Sequence, residues 1–297
     1  MGLLLTNKKP GITSFDTLRE IKRALDTGKV GHTGTLDKFA SGLLLVLTGK
    51  DLKLTQWFSH CDKQYTGRIR FGIETDTLDP EGSVIAESEP PSREKVEQAL
   101  SQFSGVIMQS PPAYSAIHIN GKRASELARS GQVPEMKKRE VTIHKIELRN
   151  WEPPFADIFV HCSSGTYIRS LARDIALAAG SRAHLSSLLR TQIADFKLED
   201  AQGGENSSFS PLPVTKSVIS ALRLPWLEVP PSDAEKIIQG KPLAPIIEGK
   251  NLIFPKLPPL HPPEQYFSVA VFSGETLVAV INKSEGKWSY GCVFAKE

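Results

Sequence analysis

The sequence predicts an α+β fold in which helices and strands alternate as far as about residue 198 and a small, mostly β region follows. Three observations support this prediction. Leu18, Ile21 and Leu25 recur at the spacing of one helix face. Apolar and polar residues alternate over 65–73, as they do in a half-buried strand. Three further strand-like runs with glycine-containing turns lie at 266–272, 275–282 and 288–294.

The length and the proline positions predict two domains. A chain of 297 residues has room for roughly two, and a stretch with several prolines at 225–231 marks the boundary. We therefore expect a first domain over residues 1–225 and a second over 226–297. The stretch 203–213 is rich in glycine, serine and proline and is predicted to be a linker or a long surface loop.

The composition argues against several classes of protein. The 36 basic and 33 acidic residues leave a net charge of +3, which permits nucleic-acid binding without demanding it. The three cysteines are far apart and contain no C-x-x-C pair, so neither a disulfide framework nor a zinc site is indicated. A reducing cytoplasm fits best. No apolar run approaches the ~18 residues that a membrane span needs, so no membrane association is expected.

The first elements along the chain are a short strand and a helix. Residues 3–5 have the composition of a buried strand, and a turn at 8–14 follows. Thr13, with Asp16 three residues later, is a typical start of a helix, and Gly28 is a typical end.

A glycine-rich loop around a single carboxylate follows that helix. Gly31, Gly34 and Gly42 surround Asp37, and the apolar block 43–47 has the length and composition of a fully buried strand. Because glycine permits tight turns and the close approach of another molecule, we expect Asp37 on a compact loop against the core. Two interpretations stay open on this pattern: a turn residue that hydrogen-bonds its own backbone, or a functional carboxylate.

Two later segments place charged side chains at defined positions. A hairpin tip is predicted at Asn120 and Gly121, with Lys122 and Arg123 beside it. Cations beside an exposed turn usually belong to a solvated surface. If RNA binds, however, phosphate contacts are expected at these residues. Arg169 lies in the first turn of a predicted helix, where the helix dipole disfavours a cation. A nearby anion would explain it; the alternative is a surface salt bridge worth ~0–1 kcal/mol.

Several of these segments together resemble a known family. The string Gly-His-Thr-Gly-Thr-Leu-Asp at 31–37, followed by Ala-Ser-Gly-Leu-Leu at 40–44, resembles the catalytic loop of the bacterial tRNA pseudouridine synthase B family. The resemblance covers about residues 1–198, and the region beyond is similar, more weakly, to the PUA-like β domain of many members. The other matching segments are the strand that begins at Tyr65 and the stretches 111–116, 165–169 and 184–190.

The resemblance implies a fold and a reaction. The fold is the pseudouridine synthase fold, a mixed β-sheet flanked by helices with a basic RNA-binding insertion around 104–140. The reaction is the isomerisation of uridine 55 in the T-loop of tRNA to pseudouridine by base flipping, in which the N1–C1′ bond breaks and C5 joins C1′. Because base and sugar stay bound, no cofactor and no metal are expected. The expected partner is the T-arm of tRNA, and the enzyme is expected to be a monomer without an obligate protein partner.

The resemblance also implies a role for individual residues. Asp37 is the nucleophile, Arg169 keeps it ionised and oriented, and Tyr65 lies against the target base. A dry pocket raises the pKa of a carboxyl above its ordinary ~3.9, whereas an adjacent guanidinium lowers it. The residues expected to bind substrate are His32, which fills the space that the flipped nucleotide leaves, the pocket-lining Tyr167 and Leu188, and the cations Lys8, Lys122 and Arg123.

One departure from the family concerns the lysine before the first helix. The family carries Lys-Pro-x-Gly, whereas this chain has Lys8-Lys9-Pro10-Gly11. Whether Lys8 or Lys9 takes the role of the family's lysine is therefore open on the sequence.

Other functions stay open on the sequence. A tRNA-binding or tRNA-folding chaperone on the same scaffold would use the same surfaces with little catalysis. A hydrolase with Asp37 as nucleophile would need a second carboxylate at a defined separation, for which Asp62 and Asp174 are candidates. A guide-RNA-dependent relative is disfavoured because no extended basic tail or additional domain is recognisable. No metal is expected at His32, since no partner lies at ligand spacing.

Overall fold

The computed structural model describes residues 1–132, 135–202, 209–255 and 266–294. These residues form a nine-stranded sheet, a four-stranded sheet and two separate hairpins, with helices packed against them. Of the linker predicted at 203–213, residues 203–208 lie outside the described part of the chain. Among the described residues, no helix combines the length and the apolar character that crossing a membrane would take.

The strands of the first two thirds of the chain belong to the large sheet and the two hairpins. These strands are β1 (Gly2–Lys8), β2 (Val30–His32), β3 (Ser41–Thr48), β4 (Lys63–Phe71), β5 (Ile73–Thr75), β6 (Val84–Glu87), β7 (Gly105–Gln109), β8 (His118–Ile119), β9 (Lys122–Arg123), β10 (Arg139–Glu152), β11 (Phe155–Cys162), β12 (Ala183–Ile193) and β13 (Phe196–Lys197). Across the large sheet their order is β1, β3, β12, β4, β11, β10 and β7, with β2 paired to β3 and β13 to β12.

The large sheet is mixed because β3 and β12 run parallel, whereas its other pairs are antiparallel. Arg190 of β12 lies opposite Gly42 of β3. Gly42 has a φ of +109°, and a Cβ atom there would lie 2.3 Å from the Arg190 carbonyl oxygen. Only glycine lets the two backbones approach this closely. The predicted mixed sheet is thus confirmed, and the strand after the Asp37 loop is fixed beside β12.

The helices of this part are α1 (Ser14–Ala24), α2 (Thr55–Ser59), α3 (Arg93–Leu100), α4 (Ala124–Arg129) and α5 (Ile168–Ala178). The helix start that the sequence predicts at Thr13 and Asp16 is confirmed, and in the structure these two residues form a reciprocal capping box. The helix ends well before the predicted Gly28, because Asp26 adopts a positive φ of 46° and turns the chain out of the helix.

One face of β4, β11 and β12 packs against α5. The alternation predicted over 65–73 is confirmed as far as Phe71, because every second residue of β4 from Lys63 to Phe71 is buried. It ends at the buried Gly72, and Ile73 begins the next strand, β5. Ile69 of β4 and Leu185 of β12 share a hydrophobic core with Leu171 and Ile175 of α5. This packing places the first turn of α5, which contains Arg169, near Tyr65, the third residue of β4.

The second sheet contains β14 (Trp226–Glu228), β15 (Tyr266–Ser273), β16 (Thr276–Ser284) and β17 (Lys287–Val293), in that order. The last three are the strands that the sequence predicts there. The remaining helices are α6 (Lys216–Ala221), α7 (Pro231–Ile238) and α8 (Ala244–Ile247). Leu45 and Leu47 of β3 share a hydrophobic core with Ala270 and Phe272 of β15. The two sheets are therefore joined by a continuous core, and the division at residue 225 stays a prediction.

The segment 104–140 contains an edge strand, a hairpin and a short helix. The edge strand β7 pairs with β10, and the hairpin of β8 and β9 leads directly into α4. Asn120 and Gly121 have φ values of 50° and 82°, as a two-residue hairpin turn requires. The predicted hairpin tip is confirmed; residues 133–134 lie outside the described residues.

Candidate active site

A cavity of about 640 Å³ opens where the Asp37 loop meets β4, β12 and the start of α5. This volume lies within the ~300–1,000 Å³ of typical ligand-binding clefts. Asp37, Tyr65 and Arg169, which come from three distant segments of the sequence, all line it. The structure therefore brings together the three residues for which the resemblance implies catalytic roles.

The loop that contains Asp37 is anchored by the start of α1. Ser14 Oγ accepts a hydrogen bond from the Leu36 amide (3.0 Å) and donates one to the Leu36 carbonyl (3.1 Å). The Gly11 amide donates to the Lys38 carbonyl at 2.8 Å. These contacts fix the backbone on both sides of Asp37, whose side chain remains 38% exposed toward the cavity.

Lys8 holds the same loop from β1. Its side chain is fully buried, and its Nζ donates to the carbonyls of Ala40 (2.6 Å), Ile12 (2.7 Å) and Lys38 (3.3 Å), among others. Burial lowers the pKa of Lys8 to about 8, and the charge of Asp37 opposes this effect. Lys8 thus contacts the Asp37 loop directly. Its ammonium faces loop carbonyls and does not line the cavity, so its expected role as a substrate contact stays a prediction.

Arg169 grips the Asp37 carboxylate from the side. Its Nη2 donates to Asp37 Oδ1 at 3.0 Å. Its Nε lies 2.9 Å from Asp37 Oδ2, close enough for an ion pair, although the Nε–H does not point at the oxygen well enough for a hydrogen bond. The anion that the sequence predicts near this helix start is therefore present. With a side chain only 4% exposed, Arg169 is a buried cation and not part of a solvated surface.

Three further groups fix the Arg169 guanidinium. Its Nη1 donates to Asp79 Oδ2 at 3.1 Å and to the Thr77 carbonyl at 2.7 Å, and its Nη2 donates to the Tyr114 carbonyl at 3.0 Å. Asp79 is itself held, since its Oδ1 accepts from Thr77 Oγ1 at 2.6 Å. The sequence analysis missed Asp79 because an aspartate in the turn at 76–82 has the ordinary appearance of a turn residue.

The electrostatic setting of Asp37 combines opposing effects. Burial raises the pKa of Asp37, Arg169 lowers it, and the nearby Asp79 raises it again, with a net rise above the ordinary value. The side chain is 38% exposed, and solvent screens charges at such a position. The opposition between a dry pocket and a guanidinium is thus as predicted, and Arg169 contributes most to keeping Asp37 ionised.

Tyr65 and a second buried arginine form the floor of the cavity. Tyr65 is 7% exposed, and burial raises its pKa to about 12, so the phenol is neutral at physiological pH. Arg190 lies opposite Tyr65 in the pairing of β4 and β12. Its Nε donates to the Leu43 carbonyl at 2.7 Å and its Nη2 to the Gly34 carbonyl at 3.1 Å. The sequence analysis did not predict Arg190 as a site residue, because it lies at the end of the segment 184–190, whose pattern is that of an apolar core.

His32 and Leu188 line the cavity on either side of these residues. His32 Nδ1 is buried, and no residue in the described part of the chain hydrogen-bonds it. Burial lowers the pKa of His32, and the charge of Arg190 adds to this effect, so the imidazole is neutral at physiological pH. Leu188 is 7% exposed and presents an apolar surface.

Tyr167 occupies the N-cap position of α5 and lines the cavity. The Gln109 side chain accepts a hydrogen bond from the Tyr167 amide at 2.8 Å and donates to its carbonyl at 3.1 Å. The Arg139 guanidinium lies 4.7 Å from the centre of the Tyr167 ring and donates to the Gly165 carbonyl. A buried amide and a cation therefore hold the backbone and the ring of Tyr167.

The cations at the cavity agree only in part with those predicted. Arg123 lines the cavity, whereas Lys122 is exposed beside it and does not. Arg129 of α4 and Arg139 of β10 line it as well. Lys63 lies deeper, where burial lowers its pKa to about 8.

Asp37 is the one carboxylate among the described residues that line the cavity. The two candidates for a second carboxylate lie elsewhere. Asp174 pairs with Arg173 at 2.8 Å, and Asp62 lies 3.1 Å from His144. The paired carboxylates that a hydrolase of this kind needs are therefore not assembled at the cavity.

Comparison with known proteins gives consistent results. The family model described as "TruB family pseudouridylate synthase (N terminal domain)" matches residues 22–168. The tRNA pseudouridine synthase B of Borreliella burgdorferi (strain ZS7) is 46% identical over 210 residues, which are 70% of this chain and 74% of the relative. That of Azoarcus sp. (strain BH72) is 40% identical over 259 residues, 85% and 86% of the two chains.

A solved structure supports the predicted pseudouridine synthase fold. The crystal structure of a Cbf5-Nop10-Gar1 complex contains a chain that superposes with a TM-score of 0.68, covering 100% of this chain and 84% of that chain. At 24% sequence identity this likeness concerns the fold alone.

Proposed function

We propose, because this chain belongs to the TruB family of pseudouridylate synthases, that it isomerises uridine 55 in the T-loop of tRNA to pseudouridine. The observation that carries the proposal is the pair of Asp37 and Arg169 at the cavity, where one solvent-accessible carboxylate is gripped by one buried guanidinium. The other residue roles below are part of the same proposal.

Asp37 acts as the nucleophile. Covalent catalysis needs an ionised, oriented group, and the contacts with Arg169 support both properties. Asp37 attacks the base or the sugar of the target uridine, or abstracts a sugar proton; each route starts from the carboxylate. In the overall reaction the N1–C1′ bond breaks, a C5–C1′ bond forms, C5 loses its proton and N1 gains one. The product is an isomer of the substrate, and the reaction consumes no co-reactant.

Tyr65 receives the flipped base. Extruding a base from its stack costs a few kcal/mol, and stacking on an aromatic ring contributes about 1–3 kcal/mol. The two effects are of the same order, so Tyr65 offsets much of the cost of extrusion. Its neutral phenol, next to the apolar Leu188, suits the face of a pyrimidine ring.

The surroundings of the cavity bind the rest of the T-arm. His32 fills the space that the flipped nucleotide leaves, and its neutral imidazole suits stacking between bases. Tyr167 lines the pocket. Phosphates are expected at the cations of the 104–140 segment, because contacts of this kind position a nucleic acid without reading its sequence. These cations are Lys122, Arg123, Arg129 and Arg139.

The enzyme is proposed to work as a cytoplasmic monomer on tRNA alone, without a cofactor, an obligate protein partner or attachment to a membrane. A chemical argument supports the absence of a cofactor: the product is an isomer of the substrate uridine, so the reaction consumes no co-reactant.

The test is to map pseudouridine after incubating the tag-free chain with an unmodified tRNA transcript, using carbodiimide-based primer extension. We expect a single stop that reports position 55. The matched variant is Asp37→Asn, which keeps the size of the side chain and removes its charge; we expect it to bind tRNA with unchanged affinity and to give no stop.

Two other results would change the interpretation. Tight binding of tRNA by the wild-type chain without any stop would favour the tRNA-folding chaperone. A full stop at position 55 with Asp37→Asn would remove Asp37 as the nucleophile while leaving the reaction itself in place.

A further inference from the structure

We propose that Asp62, His144 and His161 form a binding site for one divalent transition-metal ion of the zinc type, on the opposite face of the large sheet from the cavity. One ligand atom from each of the three side chains lies within 4.8 Å of the other two. The proposal is independent of the proposed function, since none of the three residues lines the cavity.

An irregularity in β10 brings the two histidines together. Ile143 pairs with Cys162 and Lys145 pairs with His161, so that His144 is an extra residue between two regular pairs. Such a bulge turns the extra side chain away from its regular position. The imidazole rings of His144 and His161 consequently lie 4.7 Å apart between their centres.

Asp62, the residue directly before β4, supplies the third side chain. β4 pairs with β11 on the side away from β10, and Lys63 lies opposite Cys162. Lys63 and Tyr65 point toward the cavity, so Asp62 emerges on the other face of the sheet. There its Oδ2 lies 3.1 Å from His144 Nε2 and 4.0 Å from His161 Nε2. Two imidazole nitrogens thus converge on one carboxylate oxygen.

These distances are close to what a metal ion needs. A tetrahedral zinc ion with bonds of ~2.0–2.1 Å separates two ligand atoms by about 3.3 Å. The observed 3.1 and 4.0 Å lie on either side of that value. Two imidazoles and one carboxylate are ligands that zinc and neighbouring divalent ions accept. All three ligand atoms lie within 4.8 Å of one another, so side-chain movements on the order of 1 Å would complete a three-ligand site whose remaining positions are open to water.

The surroundings permit a cation. The three side chains are between 13% and 37% exposed, so an ion can enter while being partly shielded from solvent. The positive groups nearby have partners of their own. Arg223 Nη2 lies 3.6 Å from Asp195, and Lys145 Nζ lies 2.5 Å from Glu147. Lys63 Nζ donates to the carbonyls of Ser59 and Cys61 at 2.8 and 2.5 Å. An ion held here would tie together β4, β10 and β11 near the end of the sheet that contains Tyr65.

The experiment is an isothermal titration of zinc chloride into the tag-free, metal-stripped chain in a buffer that does not chelate metals. We expect binding of one equivalent. Loss of a group that merely supports a ligand costs ~10–100-fold in affinity, so His144→Gln and Asp62→Asn are each expected to lower the association constant at least tenfold. His118→Gln, which alters an exposed histidine of the β8–β9 hairpin, is the matched control and is expected to bind like the wild type.

Two further readouts decide the outcome. Cobalt(II) is expected to give visible d–d bands without the near-ultraviolet bands of thiolate ligation, which excludes binding by cysteine. Zinc is expected to raise the thermal midpoint of the wild type and not that of His144→Gln, because binding to the folded state alone stabilises it. His144 is partly exposed and its replacement leaves the core intact. Equal binding by wild type, His144→Gln and Asp62→Asn, or no binding by the wild type, would overturn the proposal.

Discussion

The charged side chains on the two sides of β4, β11 and β10 differ in their burial and in the number of their partners. On the cavity side Arg169 is 4% exposed and is bonded to two carboxylates and two carbonyls. On the outer face Lys145 and Arg149 are 54% and 55% exposed and share Glu147. A buried guanidinium with several fixed partners has one orientation, whereas exposed pairs are solvated and contribute little. The comparison indicates that orientation, and not the mere presence of charge, distinguishes the candidate active site.

The largest effect among the side chains that hold Asp37 is expected for Arg169→Lys. An ammonium keeps the positive charge but cannot reproduce the guanidinium's planar set of donors. We expect kcat to fall about 10²–10³-fold, the range for removing a donor that stabilises developing charge, while binding of tRNA is unchanged. Single-turnover kinetics and filter binding check the two parts. A rate within twofold of wild type would show that charge alone is sufficient.

A smaller effect is expected from pH. The pKa of Asp37 is raised above its ordinary value, and only the carboxylate form can act as the nucleophile. As pH falls, Asp37 therefore takes up its proton at a higher pH than a free aspartate, and the acid limb of the single-turnover rate should lie above about pH 3.9. A pH–rate profile measures this. A limb at or below that value would contradict the described environment of Asp37.

The smallest effect is expected on the outer face. Glu147→Gln removes the carboxylate shared by Lys145 and Arg149. Because Lys145 and Arg149 are solvated and exposed ion pairs contribute little, we expect an unchanged midpoint of urea unfolding and an unchanged rate of pseudouridine formation. A clear loss of activity would mean that the outer face takes part in catalysis or in binding tRNA.

The sequence predicted those parts of the molecule that a local pattern determines. The alternation in β4, the start of α1 at Thr13 and the hairpin tip at 120–121 each depend on residues close together in the chain. Asp37 and Arg169 were also predicted as candidate site residues, because each lies in a distinctive string of residues, and both line the cavity. Their contact with one another was implied by resemblance and not by any pattern in either segment.

What the sequence did not predict depends on contacts between distant segments. Asp79 acquires its place only because α5 brings Arg169 against the turn before β6. Arg190 is recognisable as a buried cation only once β3 and β12 are paired in parallel. His144 meets His161 because of one irregular residue in β10. No metal was expected, since the cysteine pattern gives no sign of these ligands.

The central claim is that Arg169, fixed by Asp79, holds Asp37 in its reactive orientation. A double-mutant cycle in single-turnover kinetics, with Arg169→Lys, Asp79→Asn and the double variant, tests it most directly. If Asp79 acts through Arg169, the double variant should lose much less activity than the two single losses combined. The coupling energy between the two residues should then be ~0.5–3 kcal/mol. Losses that add within ~0.3–0.5 kcal/mol would show that the two residues act independently and would contradict the claim.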